Sequence, residues 1–97
     1  MNKDQKIRRK IEKLKKQIAS MDNMRPGSLT RQRRSWGKEY WQISYTHKGR
    51  GRTGYVSDEN YERVKRETEN FKKFKAWCAE LVDLSIELAK LTDGESD

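Results

Sequence analysis

Apolar residues are sparse along this chain, but where they occur they keep a strict period. Ile7, Ile11, Leu14, Ile18 and Met21 recur at spacings of four, three, four and three, with charged or polar residues between them. That period predicts a helix over 2–21 whose apolar stripe is too narrow to fold alone in water, so it requires a partner helix. Met24-Arg25-Pro26-Gly27-Ser28 should end it, because Pro26 disfavours helical backbone at Arg25 and Gly27 suits a turn. Residues 22–38 then read as a basic linker or loop.

From Glu39 to His47 the period drops to two. Trp41, Ile43 and Tyr45 fall on one face and Tyr40, Gln42, Ser44 and Thr46 on the other, the signature of a half-buried strand. Lys48-Gly49-Arg50-Gly51 supplies a turn and Arg52–Val56 a returning strand, so 39–56 is expected to be a β-hairpin with a cationic tip. Leu29 to Trp36 can be either a third strand or loop. Ser57, followed by Asp58 and Glu59, looks like a helix N-cap, and no Pro or Gly recurs before Gly94. A long helix is therefore expected over 58–92, followed by an acidic tail at 93–97. Its Tyr61, Val64 and Phe71 should receive the hairpin's Trp41, Ile43 and Tyr45. Its Phe74, Trp77, Leu81, Leu84, Leu88 and Leu91 match the first helix's stripe and should pair with it antiparallel. The expected fold is α+β and mostly helical, a single domain over 1–97, and the same seam is compatible with a monomer or a homodimer.

Composition narrows the function. Leu, Ile, Val and Phe together number 16 of 97 residues, while 39% of the chain is charged, which argues against a self-sufficient enzyme with a deep pocket. Nine per cent aromatics and the strict periods argue equally against disorder. The lone Cys78 excludes an internal disulfide framework and a multi-cysteine zinc site. No membrane-length apolar run is present and MNKDQKIRRK lacks a signal-peptide core, so a cytoplasmic protein without membrane contact is expected. Charge is unevenly spread: up to Lys75 there are 22 Lys or Arg against 9 Asp or Glu, and from Ala76 onward 1 against 6. A field that positive over most of the chain favours an anionic partner, of which nucleic acid is the commonest.

Met24-Arg25-Pro26-Gly27-Ser28-Leu29, the run YWQISY at 40–45, a basic turn, Tyr55-Val56, and Asn70-Phe71-Lys72-Lys73-Phe74-Lys75 ahead of a leucine-rich helix occur in an order that resembles a known family. This is a domain-of-unknown-function family of small bacterial and archaeal proteins, often encoded near transposases and other mobile-element genes. The likeness spans roughly residues 24–91. Many members that the chain resembles carry a cysteine cluster, suited to a metal knuckle, where this chain has Arg31-Gln32-Arg33-Arg34-Ser35-Trp36-Gly37-Lys38. Zinc is not carried over, and no cofactor is expected.

From Arg25 to Arg52 there are 8 positive side chains against 1 negative. Arg25, Arg31, Arg33, Arg34, Lys38, Lys48, Arg50 and Arg52 suit phosphate oxygens, Trp36 can stack on a base or plug the small core, and Gln42 and Ser44 can read base edges if the polar face enters a groove. Arg50 and Arg52 are candidates for that reading role too. The lysines of the first helix are as compatible with a solvated face as with nonspecific phosphate contact. The leading reading is a noncatalytic DNA- or RNA-binding accessory protein of a mobile element or phage. The alternative is a helical interaction module docking on a larger protein or nucleoprotein complex. A small basic ribonuclease built around His47, with Tyr45, Arg50 and Arg52, stands third, and no catalytic residue is assigned.

Overall fold

In the computed structural model, which describes residues 2–94, the elements run α1 (Lys3–Ala19), β1 (Ser28–Arg33), β2 (Glu39–His47), β3 (Arg50–Val56), a 3-10 turn at Asp58–Asn60, and α2 (Tyr61–Thr92). The fold is α+β, with an N-terminal helix, a three-stranded sheet and a long C-terminal helix. The chain forms two compact units. One combines the segment up to Met21 with the segment from Lys73 onward, and the other is Asp22–Lys72.

The helical unit is built on the seam. Ile7, Ile11 and Leu14 of α1 are buried with Leu84 of α2, and Trp77, Leu81, Leu88 and Leu91 pack around them. Each such side chain contributes about 1.5 to 3 kcal/mol when taken fully out of water. The helices are antiparallel, and Lys3 near the start of α1 lies 3.8 Å from Glu87. Asn2 caps α1, its side-chain oxygen accepting from the Gln5 N–H at 2.8 Å. Ser20 ends the helix, so Met21 falls just outside it. At the far end Gly94, at φ +76°, follows α2 in the left-handed conformation that closes helices. Of the acidic tail expected at 93–97, positions 95–97 lie outside the described residues.

The sheet unit decides between the two alternatives open for Leu29 to Trp36. Ser28–Arg33 is the edge strand β1, so the sheet has the order β1-β2-β3, antiparallel throughout. Leu29 faces Ile43, Trp41 faces Val56 and Ile43 faces Gly54. These residues line the face covered by α2: Ile43, Val56 and Val64 are buried together, with Leu29 and Trp41 against them. Trp41 also lies against Tyr61, ring centres 4.4 Å apart. Thr68, buried on the same helix, satisfies its hydroxyl by donating to the Lys65 carbonyl at 2.9 Å.

Two local devices fix this unit. The hairpin turn is Lys48-Gly49 alone, with φ of +53° and +76°, and Arg50 and Gly51 belong to β3. This is the two-residue turn whose backbone matches strand twist. Upstream, residues 22–27 are strapped to α2. The Arg25 N–H donates to the Glu67 carbonyl at 3.1 Å, and Asn70 Nδ2 donates to the Asn23 carbonyl at 3.0 Å. Gly27 then enters the sheet at φ +144°, where a Cβ would stand 2.7 Å from Ile43 Cγ1. Ser57 occupies the expected cap position but makes no side-chain cap bond, and α2 starts through the 3-10 turn rather than directly at 58.

Candidate nucleic-acid interface

Side chains that face each other across a ladder share a face, so the register sorts the candidates. The face opposite α2 carries Ser28, Thr30 and Gln32 on β1, Tyr40, Gln42, Ser44 and Thr46 on β2, and Thr53 and Tyr55 on β3. It holds no formal charge and no aliphatic side chain. Gln42 and Ser44 sit on its central strand, half-buried by their neighbours, with Gln42 Nε2 3.4 Å from Ser44 Oγ. A face of amides, hydroxyls and two tyrosines offers hydrogen bonds in both directions without the electrostatic preference of a charged surface.

Arg50 and Arg52 are not on that face. Across the two-residue turn His47 pairs with Arg50 and Tyr45 with Arg52, which puts both arginines on the side of Ile43. Only a turn with an odd number of residues would have placed them beside Gln42 and Ser44. Both remain exposed, and with Lys48 they make the hairpin tip cationic. Arg25 is also committed elsewhere: its guanidinium lies 3.8 Å from the Glu67 carboxylate, which Arg63 grips at 3.1 Å. Its backbone N–H and its guanidinium thus both meet Glu67 at the 22–27 strap.

Arg31 and Arg33 share one carboxylate. Glu39 accepts from Arg31 Nε and from Arg33 Nη2, the latter at 3.3 Å, and these two bonds hold its carboxyl below the usual carboxylate range. The Arg31 guanidinium also lies 5.2 Å from the centre of the Trp41 ring. Arg34 and Lys38 instead bound the β1–β2 turn, where the Arg34 N–H donates to the Lys38 carbonyl at 2.8 Å and Gly37 adopts φ +93°. Trp36, at the tip of this turn, is 69% exposed. It therefore does not plug the core. The Arg34 guanidinium carbon lies over the Tyr40 ring, 4.5 Å from its centre, and 5.8 Å from the centre of the Trp36 ring, and Tyr40 neighbours Tyr55, itself 66% exposed.

Together these residues border a cleft of about 370 Å³ lined by Arg34, Trp36, Lys38, Tyr40, Tyr55 and Asp58, with Glu39 and Val56 beside them. Tyr40 and Tyr55 are functional candidates that residue-type reasoning missed. Their signal was the alternation itself, since Tyr55 precedes the inward Val56 and Tyr40 precedes the inward Trp41. His47 is exposed at its strand end, and among the described residues no group of three or more His, Cys, Asp or Glu is gathered for a metal. No helix among them is long and apolar enough to cross a membrane.

No family model, no curated protein and no solved structure matches this chain.

Proposed function

We propose that this chain is a noncatalytic nucleic-acid-binding accessory protein, and that the sheet face opposite α2 is its contact surface. The observation that carries the proposal is the arrangement of that face. It is neutral and rich in hydrogen-bonding side chains, with Arg34, Trp36 and Lys38 in one bordering turn and Lys48 in the other. Cations position a nucleic acid through its phosphates, while neutral donors and acceptors meet base edges. The motif order over residues 24–91 supports placement with a mobile element or phage.

A salt titration tests this. With wild-type protein, log K for a nucleic acid should fall linearly with log salt, by about 0.9 per duplex phosphate neutralised or about 0.7 per single-strand phosphate. Arg34→Ala or Lys48→Ala should make that slope shallower by nearly one contact. Lys13→Ala and Lys16→Ala, on α1, should leave it almost unchanged. Equal small effects of all four would reduce the binding to diffuse charge and defeat the proposal.

A second reading is favoured by one feature of the helical unit. Val82 and Ile86 are 56% and 52% exposed, and the same unit has a groove of about 690 Å³ in which Ile11, Leu81, Leu88 and Ala89 are flanked by Arg8, Glu12, Lys15 and Asp93. Exposed apolar side chains and a groove of mixed lining suit docking on a larger protein or nucleoprotein complex. Under that reading Ile86→Asp would abolish complex formation while leaving salt-dependent nucleic-acid binding intact.

A further inference from the structure

The cleft at the β1–β2 turn has a chemistry the rest of the sheet face lacks. Its walls include three aromatic rings, of which Trp36 and Tyr55 are largely exposed to solvent. Single exposed aromatics are ordinary, but here two lie at one cleft with a guanidinium over the Tyr40 ring. The guanidinium brings a positive charge and planar N–H donors suited to an anion to the cleft. Lys38 adds a second cation. Two carboxylates also border the cleft, and they are not equivalent. Glu39 is engaged by Arg31 and Arg33, whereas Asp58, at the start of the 3-10 turn, is exposed and can only accept hydrogen bonds.

We infer that this cleft takes one unpaired nucleobase bearing an exocyclic amine, stacked on Trp36 and Tyr55, with its amino edge donating to Asp58 and its backbone phosphate against Arg34 and Lys38. The inference rests on the nucleic-acid reading above and sharpens it: the ligand is a single strand, or a duplex with an unpaired base. A base inside a duplex stack has both faces covered and its amine paired, so it cannot use the rings or the aspartate. The volume of about 370 Å³ is at the small end for ligand sites and suits one nucleotide rather than a longer segment. The neutral face beyond the cleft gives the flanking nucleotides hydrogen-bonding partners.

The test uses the full chain and three labelled probes of equal length: oligo(dC), oligo(dT) and a blunt duplex. Wild-type protein should bind oligo(dC) most tightly, and binding should quench tryptophan emission. Trp36→Ala should weaken oligo(dC) binding by roughly tenfold or more while changing duplex binding by less than about twofold. Trp36→Phe should keep most of the affinity and lose the quench, which separates stacking from damage to the turn. Asp58→Asn, which adds a donor, should narrow the gap between oligo(dC) and oligo(dT). Equal losses for single strand and duplex in Trp36→Ala, or a quench that survives Trp36→Phe, would overturn the cleft assignment, and equal wild-type affinities for oligo(dC) and oligo(dT) would overturn the role of Asp58. In each of these cases an intact, Arg34-dependent salt slope would leave the broader nucleic-acid reading standing. Failure to bind any of the three probes would remove both.

Discussion

The helical unit and the sheet unit reach stability by different routes. In the helical unit the buried set of Ile7, Ile11, Leu14 and Leu84 is specified by spacing alone, and any apolar side chain of similar volume at those positions would serve. In the sheet unit only Ile43, Val56 and Val64 form the buried cluster, and so small a core needs shape as well as pattern. Gly27 must leave room for Ile43, Lys48 and Gly49 must turn left-handed, and the 22–27 strap must bond to α2. Pattern tolerates substitution, whereas shape does not. The charges follow the same division: the helical unit spreads its cations over the flanks of α1, while the sheet unit sets several of them in turns, some against aromatic rings.

Leu84→Asp should give the largest effect. A lone carboxylate in the thin seam costs about 3 to 5 kcal/mol, and hydrogen exchange should show protection lost along Ile7–Ile18 and Trp77–Leu91, while the β2–β3 ladder stays protected. Leu84→Met, which keeps the volume, should cost less than about 1.5 kcal/mol. Next comes Gly27→Ala, at about 2 to 3 kcal/mol, since it combines a strained φ with overlap on two Ile43 carbons. Gly54→Ala is the control: its new Cβ would meet Ile43 Cγ2 at an ordinary 3.5 Å, and its denaturation midpoint should hold or rise slightly. A smaller change of opposite sign is expected from Lys48→Asn. Asparagine tolerates the left-handed conformation better than lysine, and the denaturant midpoint should rise by an amount equivalent to about 0.5 to 1 kcal/mol.

The smallest effect is set by pH. Because the Glu39 carboxyl is held below its ordinary value by Arg31 and Arg33, its contribution is present above the pKa it has when unfolded and disappears as pH falls through the lower folded value. Melting curves of the wild type and of Glu39→Gln should therefore differ at neutral pH and converge in acid. A difference that persisted in acid would mean that Glu39 acts through packing and not through its charge.

The same contrast explains what could be read from the residues alone. The seam and the alternation of β2 were legible because each is a period, and periods survive without knowledge of the partner. β1 was not. Ser28–Arg33 contains one aliphatic residue, Leu29, and becomes a strand because β2 pairs with it, a tertiary choice that local pattern does not record. Placing Arg50 and Arg52 required the length of the turn, and Lys48-Gly49-Arg50-Gly51 offered several positions for it. Trp36 could not be assigned between core and surface, since an aromatic in a basic turn carries no period. Tyr40 and Tyr55 were visible in the alternation, but that they border one cleft follows only from the ladder that brings them together, ring centres 6.2 Å apart.

The three-stranded sheet is open at both sides, because β1 and β3 each have a partner on one flank only. Outward-pointing amides on such strands are templates for another chain, and hydrophobic edges of this kind aggregate. Here β1 carries Arg31 and Arg33 on just six residues, and β3 carries Arg50 and Arg52 among two glycines. The arginines thus serve as guards against strand addition, since a second copy laid along either edge would bring like charges together. Neutralising them by substitution would reduce this self-avoidance. A variant stripped of its edge arginines should therefore be lost to precipitation at concentrations where the wild type stays monodisperse.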